Sequence, residues 1–152
     1  MVKAKEQFMT SKNDPGIVIE RVDLLDCDVS LGSAGDEGPM LSLAIVALER
    51  LEKENNMLIQ VGFDFLYGQE NPAITFRCTF AAAYKREENS MAWDKFSDGI
   101  AVAHLIPYIR EFASNITTRM PIPVLILPPV NAFSLVEDYK RREAKEANNV
   151  SE

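Results

Sequence analysis

Two neighbouring segments alternate strictly, and this limits the folds open to the chain more than any other feature. In the first, Met57, Ile59, Val61, Phe63, Phe65 and Tyr67 are separated by Leu58, Gln60, Gly62, Asp64 and Leu66. In the second, Ile74, Phe76, Cys78, Phe80, Ala82 and Tyr84 are separated by Thr75, Arg77, Thr79, Ala81 and Ala83. A period of two puts each set on one face of an extended strand. The linker "GQENP" is short, so the two strands pair antiparallel, each with one buried face.

Upstream, "IVIERVDLLDCDVSL" begins a further β-like stretch at Ile17. Its apolar face is broken at Arg21 and Asp23, where a bend or bulge is expected. The glycine-rich "GSAGDEGP" (32–39) reads as a loop. Residues 40–51 fit two patterns: Leu41, Ala44, Leu48 and Leu51 have helical spacing, while Leu41, Leu43, Ile45 and Ala47 alternate. Intrinsic propensity favours helix there.

After the charged turn "KREEN", Ile109, Phe112, Ala113, Ile116 and Met120 form a helical stripe. Pro107 stands just ahead of it, where a first-turn proline is tolerated. A last helix is expected from Asn131, a good N-cap residue, with Glu137 and Asp138 early and Lys140, Arg141 and Arg142 later. Strands first and helices last is an α+β order, an antiparallel sheet with helices on one face. Residues 1–15 read as a flexible arm, 16–142 as a single domain and 143–152 as a tail.

Sixteen Lys and Arg against 23 Asp and Glu give a net charge of −7. That sign argues against nucleic acid, whose phosphates need excess cations, and suits a cationic partner. The first sixteen residues hold no apolar signal core, and no run approaches the ~20 residues of a membrane span. A cytoplasmic protein without membrane insertion is expected. Cys27 and Cys78 form no zinc pattern and read as buried thiols, so neither metal nor cofactor is expected. His104, the single histidine, sits at a helix start among apolar neighbours and reads as a packed imidazole. No nucleophile elbow, P-loop or dinucleotide fingerprint occurs, so the chain reads as a non-enzyme. Asp26 and Asp28 share a strand face and read as solvated. A small-ligand carrier, with Phe63, Phe65, Phe76 and Phe80 around a cavity, is the competing class of binding protein.

"PIPVLILPPV" (121–130) has no polar side chain and four prolines. Its prolines exclude a helix interior and favour a stiff, extended loop. With its surroundings, "HLIPYIREFASNITTRMPIPVLILPPVNAFSLVEDYK", it resembles the SecB-type protein-export chaperones. The likeness is carried by Pro107, Tyr108, Arg110 and Glu111, then Pro129, Val130 and Asn131, then Phe133, Leu135 and Tyr139. It is specific over 104–140 and looser upstream, where Arg21, Asp26 and Cys78 stay in register.

The resemblance implies a four-stranded antiparallel sheet with a long helix and a short outer helix packed on one face, and makes residues 40–51 the second strand. It implies a homotetramer, a dimer of dimers, with Ile109, Phe112, Ala113 and Ile116 between sheets. It implies an ATP-independent holdase whose groove, holding unfolded preproteins for export, is lined by Ile122, Val124, Leu125, Ile126, Leu127, Phe133, Leu135, Val136 and Tyr139. Met40, Leu41, Met91, Trp93 and Phe96 are further groove candidates, since Met and aromatic side chains adapt to varied clients. Asp26 and Asp28 would dock on the SecA translocation motor. Thr79 stands where the family carries an acid, and Arg77 where it carries an apolar residue, which counts against that docking. Some relatives instead chaperone the antitoxin of a toxin–antitoxin system.

Overall fold

The computed structural model describes residues 16–32, 41–67, 74–121 and 124–151. The strands are β1 (Ile17–Leu31), β2 (Leu41–Lys53), β3 (Asn56–Tyr67) and β4 (Ile74–Arg86). They form one antiparallel sheet in the order β1-β4-β3-β2. Two helices follow, α1 (Asp98–Thr117) and α2 (Ala132–Val150). The two alternating segments are its centre: Val61 pairs with Phe80, Phe63 with Cys78 and Phe65 with Phe76. These six side chains join Val102, Leu105 and Ile109 of α1 and Val136 of α2 in one buried core. The architecture is the α+β arrangement expected.

Residues 41–53 are a strand against their helix propensity. They pair with β3 from Leu41 opposite Tyr67 to Lys53 opposite Asn56, and Ile45 is fully buried. A free strand edge and a half-buried face outweigh a weak intrinsic preference. The turn into β3 is two residues long, with Glu54 at φ 51°. The Glu54 carbonyl accepts the Trp93 indole N–H at 2.8 Å.

β1 slips register twice, between Ile19 and Arg21 and again between Leu24 and Asp26. The first slip turns Val22 and Leu24 toward the helices' side, opposite Ala82 and Phe80. Arg21 and Asp23 are thereby spared burial and pair with each other at 2.6 Å. One break in the pattern is thus resolved by two bulges, each of which flips the strand's phase.

α1 starts nine residues before the proline expected to mark its beginning. Ser97 is its N-cap, the hydroxyl accepting from the Ile100 N–H at 3.4 Å. Pro107 is inside the helix and His104 in its second turn. A mid-helix proline leaves the carbonyl four residues back without its donor. Here that residue is Ala103, exposed like Pro107, so water can satisfy the carbonyl.

α2 begins where expected, Asn131 Oδ1 accepting from the Ser134 N–H at 3.2 Å. At 19 residues against 20 in α1 it is not short, and 143–150, read as a tail, continue it. "RREAKEA" contains good helix formers and no breaker before Asn148.

Candidate functional site

The proline-rich loop leaves the end of α1 and runs extended to Asn131. Its side chains alternate: Leu125 and Leu127 are buried, 5% and 3% exposed, while Val124 and Ile126 stand out at 46% and 76%. The last turns of α1 set this phase. Thr117, itself buried, accepts the Leu125 N–H at 3.0 Å and donates to the Ala113 carbonyl at 2.7 Å. Ser114 donates to the Leu125 carbonyl at 2.9 Å. Both backbone groups of one loop residue are thus paired without a sheet, as burial requires. Leu125 and Leu127 therefore anchor the loop, and of the groove residues named above only Val124 and Ile126 face outward from it. Ile122 lies outside the described residues.

Beyond the loop, α2 opens with Phe133, 53% exposed. One face of its ring lies on Gly99 of α1, where a Cβ would fall 2.3 Å from the ring. This close approach requires glycine. Ala103, Ile106, Pro107, Arg110, Pro129 and Phe133 line an open pocket of about 690 Å³ between α1, the loop end and α2. Leu135 and Tyr139 are half-buried, and Val136 is buried in the core. On the other flank of α2, Leu43 of β2, Leu135, Asp138, Arg141, Arg142 and Lys145 line a second cleft of about 350 Å³. Arg142 also donates to the Ile45 carbonyl at 2.6 Å, where β2 bulges.

Trp93 and Phe96 are not groove residues: both are buried. Phe96 packs edge-on to Tyr84 at 5.0 Å and to Trp93 at 6.0 Å. Arg50, mostly buried, holds their turn in place by donating to the Trp93 and Phe96 carbonyls and meeting Asp98 at 3.2 Å. Aromatic content marked this turn in the sequence, but the arginine that satisfies it lies on β2 and carried no local signal. Met91 is half-buried. Met40 lies outside the described residues, as does the side chain of Leu41.

Of the proposed interface stripe, Ile109 and Ala113 are already buried within the chain. Phe112 and Ile116 keep free surface, Phe112 lying 5.2 Å from Phe76. Tyr108, exposed beside them, belongs with that surface. Asp26 and Asp28 are exposed on the sheet's outer face. Asp28 sits opposite Arg77, whose guanidinium grips both carboxylate oxygens of Asp64.

His104 Nδ1 lies 3.0 Å from the Tyr84 hydroxyl, the ring neighbouring Tyr84 and Phe96. Burial, with a smaller push from Tyr108, raises the Tyr84 phenol well above its usual range. Cys27 and Cys78 face each other across β1 and β4. Cys78 is buried and its thiol is pushed up to about 12, first by burial and then by Cys27 and Asp64. Cys27, expected to be buried, is exposed, because no helix covers that part of β1.

No family model matches the chain. Fifty-four residues are 39% identical to the uncharacterized protein MJ0357 of Methanocaldococcus jannaschii, covering 36% of this chain and 34% of that protein. The chain thus spans about a third of that relative's length. Among solved structures, the Mycobacterium tuberculosis SecB-like chaperone Rv1957, in complex with a ChAD peptide from the HigA1 antitoxin Rv1956, superposes with a TM-score of 0.62. That alignment is 18% identical and covers 75% of this chain and 90% of the other. A Streptococcus agalactiae protein of unknown function aligns at 0.44 and 11% identity. The Rv1957 superposition gives the fold: an α+β chain built like the SecB-like chaperones.

Proposed function

We propose that this protein is an ATP-independent chaperone that holds unfolded polypeptide against the outward face of the 124–130 loop and the start of α2. The observation that carries this is the outward row Val124, Ile126 and Phe133 on a backbone pinned by Ser114 and Thr117. Prolines fix φ, so the loop stays extended at little further ordering cost when a chain is bound. Apolar contacts of this kind discriminate little between client sequences. A protein that binds the unfolded chain preferentially delays folding by mass action, without nucleotide.

An antitoxin-type client has more support than preproteins. The structural neighbour was solved with an antitoxin peptide. Asp28, read with Asp26 as a motor-docking acid, faces Arg77 across the ladder. A small-ligand carrier has less support, because Phe65, Phe76 and Phe80 pack onto one another or onto Phe112.

The inner face of β1 presents Ile19, Leu24 and Leu31 to solvent beside the free surface of Tyr108 and Phe112. We take this strip as the contact of a homo-oligomer, a dimer of dimers, which would link several weak client sites and raise their joint affinity. The test is refolding of a denatured, slow-folding protein with a molar excess of this chain and no nucleotide. Arrest of refolding, with the native test protein ignored, is the expected result. An unchanged time course rejects general holdase action, and a labelled antitoxin segment is then the client to try.

A further inference from the structure

The two clefts flanking α2 carry charge opposite in sign to the chain. Against −7 overall, Arg110 is the one charged residue among the described residues that line the first cleft. The second is lined by Arg141, Arg142 and Lys145 against Asp138, three cations less one anion, or +2. Arg110 is half-buried, and neither it nor Lys145 has a hydrogen bond or ion pair with any described residue. Arg141 meets Asp138 at 3.2 Å with both side chains well exposed, a solvated pair that another carboxylate can exchange into. In the first cleft Asn131 Oδ1 already takes the Ser134 N–H, and in the second the lining carboxylate, Asp138, is outnumbered by three cations and met by Arg141.

From this we infer that the client segment is acidic as well as apolar, with carboxylates interleaved among aromatic or branched aliphatic side chains. The inference rests on the polypeptide-binding reading above and names the client chemistry of that site. Apolar side chains enter beside Ile106, Pro107 and Phe133 in the first cleft and Leu43 and Leu135 in the second. A carboxylate one or two residues away meets Arg110, Arg141 or Lys145. At Arg110 the partly apolar surroundings strengthen a forked guanidinium–carboxylate contact. A lysine in the same place meets like charge. The chain's −7 does not reverse this preference, because at physiological salt charges beyond about 8 Å are largely screened and the lining residues dominate.

The test uses three labelled, unstructured peptides sharing the same Phe and Leu positions, with the intervening positions all Glu, all Ser or all Lys. Binding to the full chain is read by fluorescence anisotropy at physiological salt. The Glu peptide should bind about tenfold or more tighter than the Lys peptide, with Ser between. A double variant, Arg110→Gln with Lys145→Gln, should bring the Glu-to-Lys ratio toward one, while Arg110→Lys keeps it. Circular dichroism of each variant controls for folding. If Lys binds as well as Glu, or better, the charge inference is overturned while the holdase reading stands. A ratio unmoved by the double variant also overturns it. If none of the three peptides binds, the polypeptide-binding reading falls and takes this inference with it.

Discussion

β4 and β1 lie side by side, paired residue to residue, and turn apolar side chains to the same face of one sheet, yet their fates differ. Phe76, Cys78 and Phe80 of β4 are buried. Their partners on β1 are half-buried Val29, exposed Cys27 and exposed Leu24. The helices reach across the centre of the sheet and stop short of its β1 edge. Periodicity therefore reports which way a side chain points, and a separate element decides whether it is covered. The 124–127 loop repeats the lesson on a smaller scale, with four apolar residues in a row, two anchored and two presented.

The largest effect should separate the strands by stability. Phe76→Ala removes a ring packed against Phe65 and Phe112 and should cost about 3–5 kcal/mol in denaturant unfolding. If Leu24→Ser, on the uncovered strand, costs as much, the distinction between covered and bare strands is wrong. Next is the loop's anchor. Thr117→Val keeps the shape but strands the Leu125 N–H, and should cost about 1–3 kcal/mol. A neutral result would mean that the loop is held by its leucines alone.

The thiols sharpen the comparison through pH. Cys78 has a native pKa of about 12 against an ordinary 9.0, so the folded state keeps its proton longer than the unfolded state. Its stabilising contribution is complete below pH 9 and is lost as pH climbs toward 12. Denaturant midpoints should fall over that range, and Cys78→Ala should flatten the fall more than Cys27→Ala. Equal flattening would place both thiols in equivalent surroundings. The smallest stability effect is expected for Leu24→Ser, about 0.5 kcal/mol or less. Its signature is a lower sedimentation mass, and an unchanged mass would remove the β1 strip from the proposed interface.

The alternating hairpin was legible because each strand showed a single period over its whole length. Residues 41–51 satisfied two periods, and only pairing along the open edge of β3 decided between them. α1 begins after Ser97 and not near Pro107, the position expected because prolines usually stand at helix starts. A proline whose orphaned carbonyl faces water is tolerated deeper inside. The loop was legible as apolar and extended, but not in its phase, because Ser114 and Thr117 act through hydrogen bonds that leave no hydrophobic pattern. Trp93 and Phe96 illustrate the converse. An aromatic residue becomes a surface contact only when nothing in its own chain has claimed it, and here Glu54, Tyr84 and Arg50 have.

The most direct test of a loop that presents Val124 and Ile126 while anchoring on Leu125 and Leu127 is Ile126→Asp in the refolding assay, with thermal unfolding measured on the same sample. Ile126 is mostly solvent-exposed, so the variant should unfold at nearly the wild-type temperature and yet fail to arrest refolding of the test protein. Arrest as complete as with the wild-type chain would contradict the assignment of this face to client binding.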